Sequence, residues 1–125
     1  MLVIALPNPA GFDAEHFKEN WVAWDAPRHL YHFWPGTLEK LLATHKLSVF
    51  KRQPYFPDAV YNSFHSEALR YKRDEGVGRR QLAVRIMKSV FSPFRILNLL
   101  GRAGVDALQG GSRASSVVYY ARRVE

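Results

Sequence analysis

The sequence predicts a mixed α/β fold, and three observations carry that prediction. Apolar or β-branched runs at residues 2–6, 47–53 and 115–124 have the composition and boundaries of strands. Between them, residues 35–45, the stretch from 58 onward and residues 79–91 carry apolar side chains at helical spacing. The chain has 125 residues, 47% of them apolar and 14% aromatic, which is too hydrophobic for disorder and sufficient for one domain, 1–125.

Taken in order, Leu2-Val3-Ile4-Ala5-Leu6 is apolar throughout and stops at Pro7-Asn8-Pro9. A run without alternation reads as a strand buried on both faces, as in a parallel sheet. A short helical turn is expected around Asp13–Trp21, with Asp13 as its cap and Phe17 and Trp21 on one side. Trp21 to Trp34 (WVAWDAPRHLYHFW) reads as an ordered aromatic loop or lid, because water solvates such side chains poorly. Pro35 suits the first position of a helix that runs to about His45, with Leu38, Leu41 and Leu42 as its apolar stripe. Leu47 to Gln53 then forms a strand stopped by Pro54, completing a strand–helix–strand unit that is right-handed if its strands are parallel.

From Asp58 the pattern is helical, with Tyr61, Phe64 and Ala68 on one face, until Gly76 and Gly78 break it. Arg79 to Phe91 is amphipathic, with Leu82, Ile86 and Val90 four residues apart. Ser92-Pro93 restarts a helix through Leu100, and Gly110-Gly111 ends that stretch. Ser115 to Val124 reads as the last strand.

The 18 Lys and Arg outnumber the 11 Asp and Glu, a net charge of +7. Residues 1–65 hold six of each sign, so residues 66–125, with twelve basic and five acidic groups, supply the whole excess. Such a half fits an anionic partner or a solvated basic face. The absence of cysteine excludes disulfides, thiol nucleophiles and cysteine-based metal sites. No apolar run reaches the roughly 18–20 residues of a membrane span, and the apolar start lacks the basic flank of a signal peptide. The expected location is the cytoplasm, with peripheral membrane contact as an option.

No glycine-rich phosphate loop, H-E-x-x-H or G-x-S-x-G occurs. Asp25, Arg28 and His29, with His32 nearby, form the densest polar cluster on the apolar lid. Arg28 suits a carboxylate or phosphate, and His29 or His32 suits proton removal near neutral pH. Equally, Asp25 and Arg28 can pair to fix the loop while the histidines satisfy backbone groups. The i, i+3 spacing of His29 and His32 also suits a metal, with Asp25 or His16 as third ligand, although packing histidines are commoner in such loops. Trp21, Trp24, Tyr31, Phe33 and Trp34 have only Arg28 as a cation among them, which counts against nucleic acid. Arg79, Arg80, Arg85, Lys88, Arg95 and Arg102 surround an apolar stripe at 79–103, a face suited to a lipid-like pocket or, in a non-catalytic binding module, to an anionic membrane or nucleic acid, and equally to the solvent side of a buried helix.

LVIALPNP at the start, W-(2)-W-D-A-P-R-H-L-Y-H-F at 21–33 and T-L-E-K-L-L at 37–42 resemble the C-terminal half of bacterial class I S-adenosylmethionine-dependent methyltransferases. The resemblance is close over residues 1–53, extends to 115–125, and is topological between. It implies a partial Rossmann-like sheet with strands in the order five, seven, six, the seventh antiparallel, and a helical insertion at 58–111. The family's first four strands and glycine-rich cofactor loop correspond to nothing here, so S-adenosylmethionine is not expected to bind this chain alone. By resemblance, the lid closes over a small-molecule, lipid or saccharide methyl acceptor. His29 or His32 is then the proton acceptor, Arg28 an anion or lid anchor with Asp25, Trp24 and Tyr31 the pocket walls, and Asn8 a group facing the ligand crevice. A sheet cut beside its fifth strand implies a partner at the exposed edge, either an N-terminal half or a second copy. Trp34 stands where the family caps its helix with Ser or Thr, and Lys46-Leu47 where it has Gly-Phe.

Overall fold

The computed structural model has one sheet of three strands, β1 (Leu2–Pro7), β2 (Leu47–Pro54) and β3 (Ser116–Arg123), in the order β1-β3-β2. Its helices are α1 (Phe12–Phe17), α2 (Pro35–Thr44), α3 (Phe56–Arg73) and α4 (Arg79–Val90). The structure describes residues 1–25, 27–73, 78–90, 92–93, 97, 101, 105 and 113–124. The expected turns at Gly76 and Gly110-Gly111, most of the helix beyond Pro93, and Phe91, Arg95 and Arg102 lie outside the described residues.

The last strand occupies the middle of the sheet. It runs antiparallel to β1, from Leu2 opposite Ala121 to Pro7 opposite Ser116, and antiparallel to β2, from Leu47 opposite Arg123 to Pro54 opposite Val117. Therefore β1 and β2 point the same way, with α2 between them in sequence. Leu38 and Leu42 of α2 pack on Val117, Tyr119 and Ala121 of β3, with Leu2, Ile4, Leu47 and Val49 around them. Pro35 opens α2, and Trp34 is its N-cap without a side-chain hydrogen bond. Leu41 is exposed, so the buried stripe is narrower than the leucine spacing predicts.

Two expectations about β1 and α1 are corrected. Strand β1 is not buried on both faces: Leu2, Ile4 and Leu6 turn toward α2, while Val3 and Ala5 are exposed. The reason is layering, since α2 covers one face and Val3 lies on the other, opposite Tyr120 of β3. Asp13 does not cap α1. The N-cap is Gly11, whose carbonyl accepts from the Glu15 amide at 3.2 Å, and Asp13 is buried in the first turn.

Within the 58–111 stretch, α3 also differs from expectation. It buries Asn62, Ser63 and Ser66, whereas Tyr61 is exposed and Phe64 and Ala68 are half-buried. Polar contacts help to dock the helix. Ser66 Oγ accepts from the Val22 amide at 2.8 Å, and Asn62 Nδ2 donates to Ser115 Oγ at 2.9 Å. In α4, which packs on α3, Leu82 and Ile86 are half-buried as their spacing predicts.

Candidate functional site

The segment from Trp21 to Trp34 is anchored at its start and open beyond it. After α1, two short 3-10 turns, Lys18–Asn20 and Val22–Trp24, carry the chain round. Phe17, Trp21 and Ala23 are buried in a small core with Ala14, and Trp24 packs against it. Asp25 ends the second turn at φ 37°, a left-handed conformation that Asp tolerates better than most residues. Its carbonyl accepts from the Arg28 and His29 amides at 2.8 and 3.1 Å, closing the bend. Ala26 of the motif lies outside the described residues.

The Asp25 side chain completes that bend. Its Oδ1 accepts from Arg28 Nη2 at 2.7 Å and from Nε at 3.1 Å. The hydrogen bond first, and the charge of Asp25 second, raise the Arg28 guanidinium above its ordinary pKa. Arg28 is 80% exposed, so the pair fixes the loop and still presents a cation to solvent.

An edge-to-face series of rings leads from the core to the surface. Centroids are 5.0 Å apart for Trp21 and Trp24, 4.9 Å for Trp24 and His32, and 5.9 Å for His32 and His29. Trp24 Nε1 donates to the Lys18 carbonyl at 2.6 Å, which fixes its ring. His32 Nε2 lies 3.1 Å from the Trp24 carbonyl oxygen, and His29 Nδ1 3.4 Å from that of Ala23. A carbonyl only accepts, so each of these nitrogens carries the proton in neutral imidazole. The lone pairs then sit on His32 Nδ1 and His29 Nε2. His32 is half-buried and His29 exposed.

The expectation that aromatic side chains of the lid would be sheltered holds for Trp21 and fails further on. Leu30, Tyr31 and Trp34 are 77%, 79% and 54% exposed, whereas Phe33 between them is half-buried against the core formed by α2 and the sheet. A cleft of about 630 Å³ lies between α2 and β2, lined by Glu39, Lys46, Val49 and Arg52 among others, and includes no residue of the lid. Among the described residues no three His, Cys, Asp or Glu side chains come together as a metal site.

Asn8 has a different place from the one expected. It is 1% exposed, with Nδ2 donating to the Ala114 carbonyl at 2.9 Å and Oδ1 accepting from the Ala10 amide at 3.1 Å. It therefore joins the end of β1 to the segment entering β3 instead of facing a crevice. Sequence reasoning also missed Asn62, Ser66 and Ser115, which attach the lid's base and α3 to the sheet. The i, i+4 spacing of Asn62 and Ser66 was the one available signal. No family model, curated protein or solved structure matches this chain.

Proposed function

We propose that this chain is the substrate-side portion of a class I S-adenosylmethionine-dependent methyltransferase, acting on a small-molecule, lipid or saccharide acceptor. The observation that carries the reading is the strand order β1-β3-β2 with an antiparallel middle strand, the order expected for strands five, seven and six. A second feature supports it. Lys46, at the position where the family has glycine, adopts φ 56°, a conformation that favours glycine.

The chain's contribution is acceptor-side chemistry. A nucleophile that accepts a methyl group must lose its proton, and His32 Nδ1 or His29 Nε2 takes it. Their carbonyl partners hold the neutral tautomers before the acceptor arrives, which removes a reorientation step. Arg28 anchors an anionic group of the acceptor, and Trp24 and Tyr31 supply apolar walls.

S-adenosylmethionine is not assigned to this chain's own residues, because its sequence carries no glycine-rich cofactor loop. The reading assigns the cofactor to an upstream half that adds a strand to β1. The Asn8 amide donates to the Ser115 carbonyl at 2.8 Å, so by alternation Val3 and Ala5 aim their backbone groups at the edge of β1 that no described strand pairs.

The test is co-expression with an upstream segment carrying a strand and an acidic-x-Gly-x-Gly loop, followed by titration with S-adenosylmethionine. The pair is expected to bind and the chain alone not to. Micromolar binding by the chain alone overturns the division of labour, and no binding by any such pair overturns the methyltransferase reading. In an active pair, full turnover by the His29→Ala/His32→Ala double variant removes the base assignment.

A further inference from the structure

The basic excess of residues 66–125 has no role in the lid, and α4 concentrates it. Arg79, Arg80, Arg85 and Lys88 lie in this twelve-residue helix, which contains no acidic residue. Leu82 and Ile86 are its half-buried side. By the 3.6-residue period, Arg80, Val84, Met87 and Lys88 share the opposite side. Val84 and Met87 are 42% and 57% exposed there, between and beside cations.

We propose that this face of α4 docks on an anionic lipid bilayer. Arg80 and Lys88, flanked by Arg79 and Arg85, meet lipid phosphates, while Val84 and Met87 enter the boundary between headgroups and acyl chains. Charge complementarity selects an anionic surface, and the two exposed apolar side chains select a lipid one. A single nucleic-acid strand would stack its bases on aromatic rings, which α4 lacks, and a duplex would set the exposed Val84 and Met87 against phosphate instead of hydrocarbon. Arg85 stands over the Tyr71 ring at 5.7 Å, so α3 orients one of the four cations. The contact is peripheral, since no described helix is long and apolar enough to cross a membrane. The inference is independent of methyl transfer.

The experiment is flotation of the full chain with phosphatidylcholine vesicles, with and without about one-third phosphatidylglycerol. Each cation near an anionic surface is worth about fivefold in binding. The chain should therefore float with the mixed vesicles and not with the neutral ones. Arg79→Gln, Arg80→Gln, Arg85→Gln and Lys88→Gln combined should weaken binding by about a hundredfold or more. Val84→Ser/Met87→Ser keeps every charge and should weaken it severalfold. Lys51→Gln/Arg122→Gln, which removes two exposed cations from the sheet, should leave it unchanged. Equal flotation with neutral vesicles, or an equal loss in the sheet variant, overturns the proposal. So does undiminished binding by the Val84→Ser/Met87→Ser variant, the result for a purely electrostatic face such as one that holds nucleic acid.

Discussion

Asn8 and Ala114 are 106 positions apart in sequence and joined by a 2.9 Å hydrogen bond from the Asn8 side-chain amide to the Ala114 carbonyl. The bond ties the exit of β1 to the entrance of β3. Asn8→Ala leaves the Ala114 carbonyl and the Ala10 amide without their partner, and a buried polar group left unpaired costs about 1–3 kcal/mol. A lowered urea midpoint is expected. An unchanged one would mean that the backbone pairing of β1 with β3 holds this junction alone.

Gly11 sits beneath the same carbonyl. Its φ of −75° is open to any residue, so the requirement is one of space. A Cβ there would stand 2.5 Å from Ala114 O and 3.0 Å from Asn8 O, both main-chain atoms that yield little. Gly11→Ala should destabilise the chain by about 1–3 kcal/mol, measured by chemical denaturation.

Lys46 is the converse case. Its left-handed backbone closes the step from α2 into β2, and its carbonyl accepts from the Val124 amide at 2.8 Å. Lys46→Gly relieves a strain of about 1 kcal/mol and should raise the denaturation midpoint.

Two fully buried serines, Ser66 and Ser116, should respond in opposite directions. Ser66 Oγ satisfies the Val22 amide, so Ser66→Ala strands a donor and should cost about 1–3 kcal/mol. Among the described residues Ser116 Oγ is buried without a hydrogen-bond partner. Ser116→Ala removes that unpaired hydroxyl and should be neutral or stabilising. Thermal melts of both variants read the contrast directly.

Tyr119, in the core, predicts the alkaline limb of stability. Burial, chiefly, raises its pKa above the ordinary value of 10.0, with Arg52 opposing and Glu39 adding. A raised folded pKa means that stability is complete below about pH 10 and falls as pH rises from there through the folded value. Tyr119→Phe should flatten that limb in urea midpoints taken on either side of about pH 10.

Much of this architecture was legible in the sequence. The strands read at 2–6, 47–53 and 115–124 are observed at Leu2–Pro7, Leu47–Pro54 and Ser116–Arg123. The helix read from Pro35 ends at Thr44, one residue before the expected His45. Apolar runs, proline boundaries and helical spacing are local signals, and nearest-neighbour sterics and hydrogen bonding suffice to express them. The pairing of Asp25 with Arg28, and backbone partners for the histidines, were likewise among the readings the residues offered.

Which face of each element is covered was a tertiary decision. Val3 and Ala5 are as apolar as Leu2 and Ile4, yet they are exposed because α2 reaches only one side of β1. Asn62 and Ser66 are buried although they are polar, because the Val22 amide and Ser115 meet them there. Asn8 became a latch because Ala114 returns to it from the far end of the chain. Local sequence determines the propensity to form a strand or helix. Burial, and the partner of each polar group, depend on chain segments that meet only when the sheet assembles.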